Sequence, residues 1–368
     1  MLRAADRWFA GYLKSLLRRP RWRQGQRHLM VCFANHFEPF RGGADRDTAL
    51  CRTRAWTAGL ERACGKAADA DGRLPVQTFF YPAEEYDPEA LEMLAGVCRK
   101  GLGETEVHLH HRNDNPSNLA RTLERFRDIL AQRHGALGSD RSGRARFGFV
   151  HGNWALCNSR PDHDWCGVNE ELAVLAESGC YADFTFPSAP SPTQPRMVNV
   201  IYRARDIPGR PRGHDTGRVV RAGTGRIEEP GELMIAPGPL FLDWGRRKFG
   251  ILPRLDNSGI EPANPLTARR VKMAAEVGIR VIGVDNWIFV KFHLHGCVDS
   301  VASGFLTGWG PAVLAEVARI FNDGAIWRLH WVSAREMYNI IRAAEDGCMG
   351  EPGEYRDYEL LPPAAARG

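Results

Sequence analysis

The stretch Glu106-Val107-His108-Leu109-His110-His111-Arg112-Asn113-Asp114 is the richest local source of chemistry in the chain. On an extended strand side chains alternate, so His108 and His110 project to the same side. Asp114 lies four residues beyond His110, within reach if the chain turns after the strand. Two imidazoles and one carboxylate suit Zn²⁺ or a similar divalent ion and leave positions open for water. A lone histidine at a strand end is usually a satisfied structural group. Here the company is unusual. Asn35, His36 and Glu38 follow one apolar run, and Tyr81, Glu84 and Glu85 follow another. His151, Asn153 and Trp154 end a third, Asp183 sits on a fourth, and Asp285, His293 and His295 close later ones. Seven of the twelve histidines lie at such ends.

The elements that would hold these groups alternate. Strands are expected at residues 28–34, 76–80, 104–110, 147–150 and 181–184, then at 280–284, 287–292 and 326–332. Helices are expected at 48–67, 88–100, from Asn115 onward with Pro116 in its first position, and at 169–177, 266–277, 311–322 and 334–344. Such alternation gives a mostly parallel sheet, and seven or eight strands suit a closed or nearly closed barrel. Catalytic groups of such barrels collect at the C-terminal rim, where the connecting loops vary freely. Residues 187–265, rich in Pro, Gly and Arg, break the rhythm and read as a partly β insertion. Residues 346–368 read as a tail.

Residues 2–17 read as an amphipathic helix with Phe9, Tyr12, Leu13, Leu16 and Leu17 on one stripe, stopped by Pro20. Eight Lys/Arg against one Asp give residues 1–27 a net +7, which leaves −2 on the rest of a chain of net +5. A nearly neutral body argues against nucleic acid as the main partner. The basic helix suits either an anionic membrane surface or packing on the body.

No apolar run is long enough to span a bilayer, and no cleavable signal peptide is evident. The nine cysteines form no Cys-x-x-Cys pair. They read as free thiols of a cytoplasmic protein, and a Cys-based structural zinc site is not expected. There is no His-Glu-x-x-His, P-loop or Gly-x-Gly-x-x-Gly after a strand, which weakens zincin and nucleotide readings.

The order of the motifs resembles that of the metal-dependent polysaccharide deacetylase superfamily, carbohydrate esterase family four and its relatives. Glu106-Val107-x-x-His110-His111-x-x-Asp114 is similar to that family's metal stretch, with His110 matching its first metal His and Asp114 standing where the second belongs. Phe149-Val150-His151-Gly152-Asn153-Trp154 resembles the family's Arg-bearing loop, with His151 in place of Arg. Tyr181-Ala182-Asp183 resembles its Asp-bearing strand, Phe292-His293-Leu294-His295 its late Leu-x-His motif, and Trp331-Val332-Ser333-Ala334-Arg335-Glu336-Met337 its closing signature. The family's Asp-Asp pair is absent, and Phe33-Ala34-Asn35-His36-Phe37-Glu38-Pro39 stands instead.

The resemblance implies a distorted (β/α) barrel of about seven strands over residues 28–345. It implies a Zn²⁺-dependent hydrolase that removes an N-acetyl group from a carbohydrate or sugar-linked intermediate of surface-polysaccharide metabolism. His36, His108, His110 and Asp114 would hold the metal. Glu38 would be the base, and His295 or His293 the general acid. Substrate contacts would come from Tyr81, Glu85, His151, Trp154, Asp183 and Asp285, with Trp287 as a further stacking surface. The enzyme would be cytoplasmic, with the N-terminal helix holding it on the inner membrane face. Two other classes fit the same residues. A glycoside hydrolase would use two carboxylates about 5 to 9 Å apart, drawn from Glu38, Glu85, Asp183 and Asp285, without metal. A non-catalytic relative would bind carbohydrate only.

Overall fold

The computed structural model describes residues 3–20, 22, 25–225 and 229–366. The chain opens with α1 (Ala5–Leu17), β1 (Arg27–His36), α2 (Arg46–Cys64), β2 (Gln77–Pro82), α3 (Pro88–Arg99), β3 (Gly103–Leu109), α4 (Pro116–Asp128), β4 (Phe147–His151), α5 (Glu171–Glu177) and β5 (Cys180–Asp183). Short strands follow: β6 (Tyr202–Ala204), β7 (Arg218–Val219), β8 (Leu233–Ile235), β9 (Phe241–Lys248), β10 (Leu252–Asp256) and β11 (Gly259–Ile260). The regular alternation resumes with α6 (Ala268–Val277), β12 (Trp287–Leu294), α7 (Asp299–Leu306), α8 (Gly310–Phe321), β13 (Trp327–Trp331) and α9 (Ala334–Glu345).

One large, mostly parallel sheet organises the molecule, in the order β11-β12-β1-β2-β3-β4-β5-β8-β6-β7. β1 is its centre. Nine of its ten residues are buried, as its nearly unbroken apolar run requires. β12 pairs with it along almost its whole length, while β13 takes the first half of its other edge and β2 the second. β6 and β7 are the antiparallel exceptions. The helices start where the sequence signals them. Asp87 caps α3 ahead of Pro88, Asn115 caps α4 ahead of Pro116, and Ser333 and Glu336 form a capping box on α9.

Several expectations change. Residues 280–284 do not form a regular strand; Ile282 makes a single bridge to Arg221. The insertion contributes β6, β7 and β8 to the main sheet and carries an antiparallel hairpin, β9–β10. Residues 346–366 are no free tail: Leu361 bridges to Ser139, and Arg356 is buried against Asp69, Asp71 and Glu336. Helix α1 buries Trp8, Gly11, Tyr12 and Ser15 on the insertion, against Ala189, Val198 and Leu240. The expected stripe is therefore split. Tyr12 turns inward, while Phe9, Leu13, Leu16 and Leu17 face solvent. Leu2, the first residue of the expected helix, lies outside the described residues.

Candidate metal centre

The parallel strands bring His36, Glu38, His108, His110 and His295 together at their C-terminal ends. They line a cavity of ≈160 Å³ with Arg41, His151, Asn153 and Trp154. Glu38 is the hub. Its Oε1 lies 3.3 Å from His108 Nε2, 3.5 Å from His295 Nδ1 and 3.7 Å from His110 Nε2. Its Oε2 accepts from the Arg41 guanidinium. Burial alone would raise the Glu38 carboxyl, but where the His108 and His295 rings carry a hydrogen and a charge toward it they outweigh burial and hold the group well below the usual carboxylate range.

The far side of each ring shows which nitrogen faces the hub. His108 Nδ1 donates to the Val150 carbonyl at 2.7 Å, and His110 Nδ1 to Glu84 Oε1 at 2.6 Å. Those acceptors carry no hydrogen, so in the neutral rings each Nε2 is a bare lone pair. Arg41 donates to His295 Nδ1 at 3.1 Å, and a guanidinium can only donate, so that nitrogen is a lone pair too. His36 is buried, and its Nε2 has no hydrogen-bond partner among the described residues. Burial, then the neighbouring rings of His295, His108 and His293, hold its pKa well below the ordinary value. In the neutral rings lone pairs of His108, His110 and His295 thus converge on the Glu38 carboxylate, beside the unpartnered Nε2 of His36. Two triplets within it that share Glu38, one with His36 and His295 and the other with His108 and His110, could each hold a metal ion. The outer hydrogen bonds to Val150 and Glu84 are of the kind that orient metal-bound histidines.

Other expected residues fall elsewhere. Asp114 is not in this cluster. The alternation that sends His110 to the cavity sends His111 away from it, and Asp114 Oδ2 accepts from His111 Nδ1 at 3.0 Å. His293 lies under the cavity, buried, with its ring stacked on His36 at 5.8 Å between centroids. Tyr81 is in the core, its hydroxyl bonded to the Glu85 carbonyl at 3.0 Å, so it offers no face to a sugar. Glu85 fixes the loop after β1 by accepting from Phe40 N at 2.9 Å. Burial, then Glu38 and Glu84, push it up to about 7. Asp183 is fully buried and accepts from the Thr185 hydroxyl at 2.6 Å. Asp285 and Trp287 precede β12 or begin it, at the opposite end of the sheet. Asp285 pairs with Arg280 at 2.6 Å, and Trp287 is buried against Tyr355. His214 is buried on Phe186, and Asp215 is held by Arg212.

Arg41 and Glu84 are the site residues that the strand-end pattern did not single out for roles. Gly152 is another. A Cβ there would stand 2.2 Å from His110 Cδ2, so only glycine leaves that ring its place. Behind this wall lies a second group, His111, His151, Cys166 and Glu171. A third, His28, His330 and Glu351, sits at the N-terminal end of β1. No protein-family model and no curated protein sequence matches the chain.

Proposed function

We propose that the protein is a metal-dependent hydrolase that releases an acyl group, N-acetyl above all, from a carbohydrate. The observation that carries this reading is the convergence of His36, His108, His110, His295 and Glu38 on one open cavity. Imidazole and carboxylate ligands suit zinc, which would supply a polarised carbonyl and a water acidic enough to attack at neutral pH. Glu38, held ionised among the rings, fits a ligand better than a base. His295 is a quarter exposed and open to the cavity, which suits it to move a proton to the departing amine. Arg41 is placed to hold an oxyanion or an acidic substituent, and half-buried Trp154 offers a face to a sugar ring.

The deacetylase-like barrel is the matching fold. Hydrogen bonds from Val220 to Ile201, Ile282 to Val220, Ala222 to Ile282 and Phe289 to Ile279 link the two edges of the sheet. Lys291 on β12 also donates across to the carbonyls of Phe184 and Phe186, just past β5. Contacts between strands so far apart in the order support a curled, barrel-like sheet. The glycoside hydrolase reading loses support, because Glu38 is the one carboxylate among the described residues lining the cavity.

Association with an anionic membrane face belongs to the same proposal. Among the described residues no helix is long and apolar enough to cross a membrane. Phe9, Leu13, Leu16 and Leu17 of α1 are exposed, and so are Trp244, Phe249 and Ile251 of the β9–β10 hairpin. Leu242 of β9 packs in the cluster under α1, and the hairpin adds Arg246, Arg247, Lys248 and Arg254 to the basic N-terminus. Apolar side chains set among cations suit a lipid surface.

The test is acetate release from a panel of N-acetylated amino-sugar oligomers by the full chain, before and after chelation. Release that chelation abolishes, zinc restores and His108→Ala lacks is the expected result. Release indifferent to chelator, or none from any acylated sugar by metal-loaded protein, overturns the reading.

A further inference from the structure

His111, His151, Cys166 and Glu171 come from four stretches: the turn after β3, the end of β4, the following loop and the first turn of α5. The two imidazoles meet Nε2 to Nε2 at 2.9 Å. Each uses its Nδ1 hydrogen elsewhere, His111 on Asp114 at 3.0 Å and His151 on the Gly152 carbonyl at 2.6 Å. Both acceptors are oxygens without hydrogen, so in the neutral rings both Nε2 atoms are lone pairs and cannot bond to each other. Glu171 Oε1 stands 3.3 Å from each of them, a third lone pair aimed at the same point. Its Oε2 accepts from Cys157 N at 2.6 Å, and the residue is fully buried. A buried carboxylate facing two bare nitrogens needs a positive charge between them.

The sulfur supplies an independent observation. Cys166 Sγ receives the backbone N–H of Asn158 at 3.3 Å and of Val168 at 3.4 Å. Sγ also donates to Glu171 Oε2 at 3.3 Å, so the thiol keeps its hydrogen while no ion is bound, and a metal would displace that hydrogen to take the thiolate. The four donor atoms lie within 4.8 Å of one another. A tetrahedral zinc with bonds of about 2.0–2.3 Å sets its donors roughly 3.3–3.8 Å apart.

We propose that His111, His151, Cys166 and Glu171 bind a divalent cation of the zinc class as a structural centre, distinct in its ligands from the cluster in the cavity, whose wall His151 also lines. Thiolate and carboxylate together neutralise the ion, so the buried unit carries no net charge. Four protein ligands leave no position for substrate, which marks a structural site. Asp114 and the Gly152 carbonyl orient the two rings. The centre fastens residues 152–170, a connection long enough to need fastening. That connection holds Asn153, Trp154, Cys157, Asn158, His163 and Trp165 in the left-handed region, and it carries Asn153 and Trp154 to the cavity. A proton on His111 is the competing occupant of the same space.

The test uses the full chain loaded with cobalt in place of zinc, because a thiolate ligand gives a near-ultraviolet charge-transfer band and the cavity cluster has no sulfur. We expect two ions per chain and the band. Cys166→Ser should keep one ion, lose the band and become open to proteolysis within residues 152–170. His108→Ala should lose the other ion and keep the band, which also shows that a variant at one centre leaves the second loaded. A wild-type chain with one ion and the band supports this centre while removing the one in the cavity. Wild-type protein without the band, or Cys166→Ser with unchanged band and metal content, overturns the proposal.

Discussion

Two histidine clusters lie at opposite ends of β1, and they differ in where their hydrogens go. At the N-terminal end His330 donates from Nδ1 to Asp71 at 2.8 Å, and its Nε2 accepts from His28 Nδ1 at 3.0 Å. Donors and acceptors alternate along that chain of bonds, so each hydrogen in it has an acceptor. At the C-terminal end the neutral rings of His108, His110 and His295 turn bare nitrogens on one carboxylate, beside an unpartnered His36, with Arg41 donating among them. The donor atoms are about as close in both places. Crowded imidazoles alone therefore do not argue for a metal; an excess of acceptors over hydrogens does.

Substitutions that treat the two ends differently would sharpen or break this contrast. The largest effect is expected at His295. His295→Ala should cut acetate release by about 10² to 10⁴-fold, the usual contribution of a proton-transfer group, while initial-rate assays of His330→Phe remain at the wild-type level. Equal losses in both would erase the distinction. Next comes Glu84, which orients His110 from outside the cluster. Glu84→Ala should weaken metal binding by roughly 10 to 100-fold in competition with a chelating dye. An unchanged affinity would mean that the Glu84 bond holds the loop and not the ligand.

The N-terminal pair should instead show itself in stability. His330→Phe leaves the buried His28 donor without its acceptor and Asp71 with Arg356 alone, which costs about 1–3 kcal/mol in urea unfolding, with metal content unchanged. The smallest effect is a pH slope. Burial, then the charge of His330, pulls His28 down to about 4, below its value of about 6.5 in the unfolded chain. The unfolded chain then binds the extra proton, so this contribution is complete above about pH 6.5 and lost as pH falls through 4. Unfolding of chelated protein between pH 7 and 4 should therefore be less pH-dependent in His28→Gln than in wild type. A parallel slope would show that His28 keeps an ordinary pKa.

The sequence made the cavity ligands legible because each ends a strand. Strand periodicity put His108 and His110 on one side, and apolar runs placed His36 at the end of β1 and His295 just beyond β12. It failed where the path after the strand decides. Asp114 was expected beside His110, but the turn gives it to His111. Asp285 was placed on the rim because residues 280–284 look like a strand, whereas they make a single bridge, Ile282 to Arg221, and Asp285 stands just before the start of β12. Cys166 and Glu171 left no spacing signal, since loop and helix bring them to His111 and His151 from far along the chain. Arg41 acts through a side chain that no backbone periodicity predicts.

Gly152 gives the arrangement a further meaning. The His110 ring lies directly against the backbone at that position, so even a single methyl there would collide with it. Gly152→Ala would remove no donor atom and change no charge, yet it would tilt an imidazole out of aim. A residue with no chemistry of its own thus sets the aim of His110.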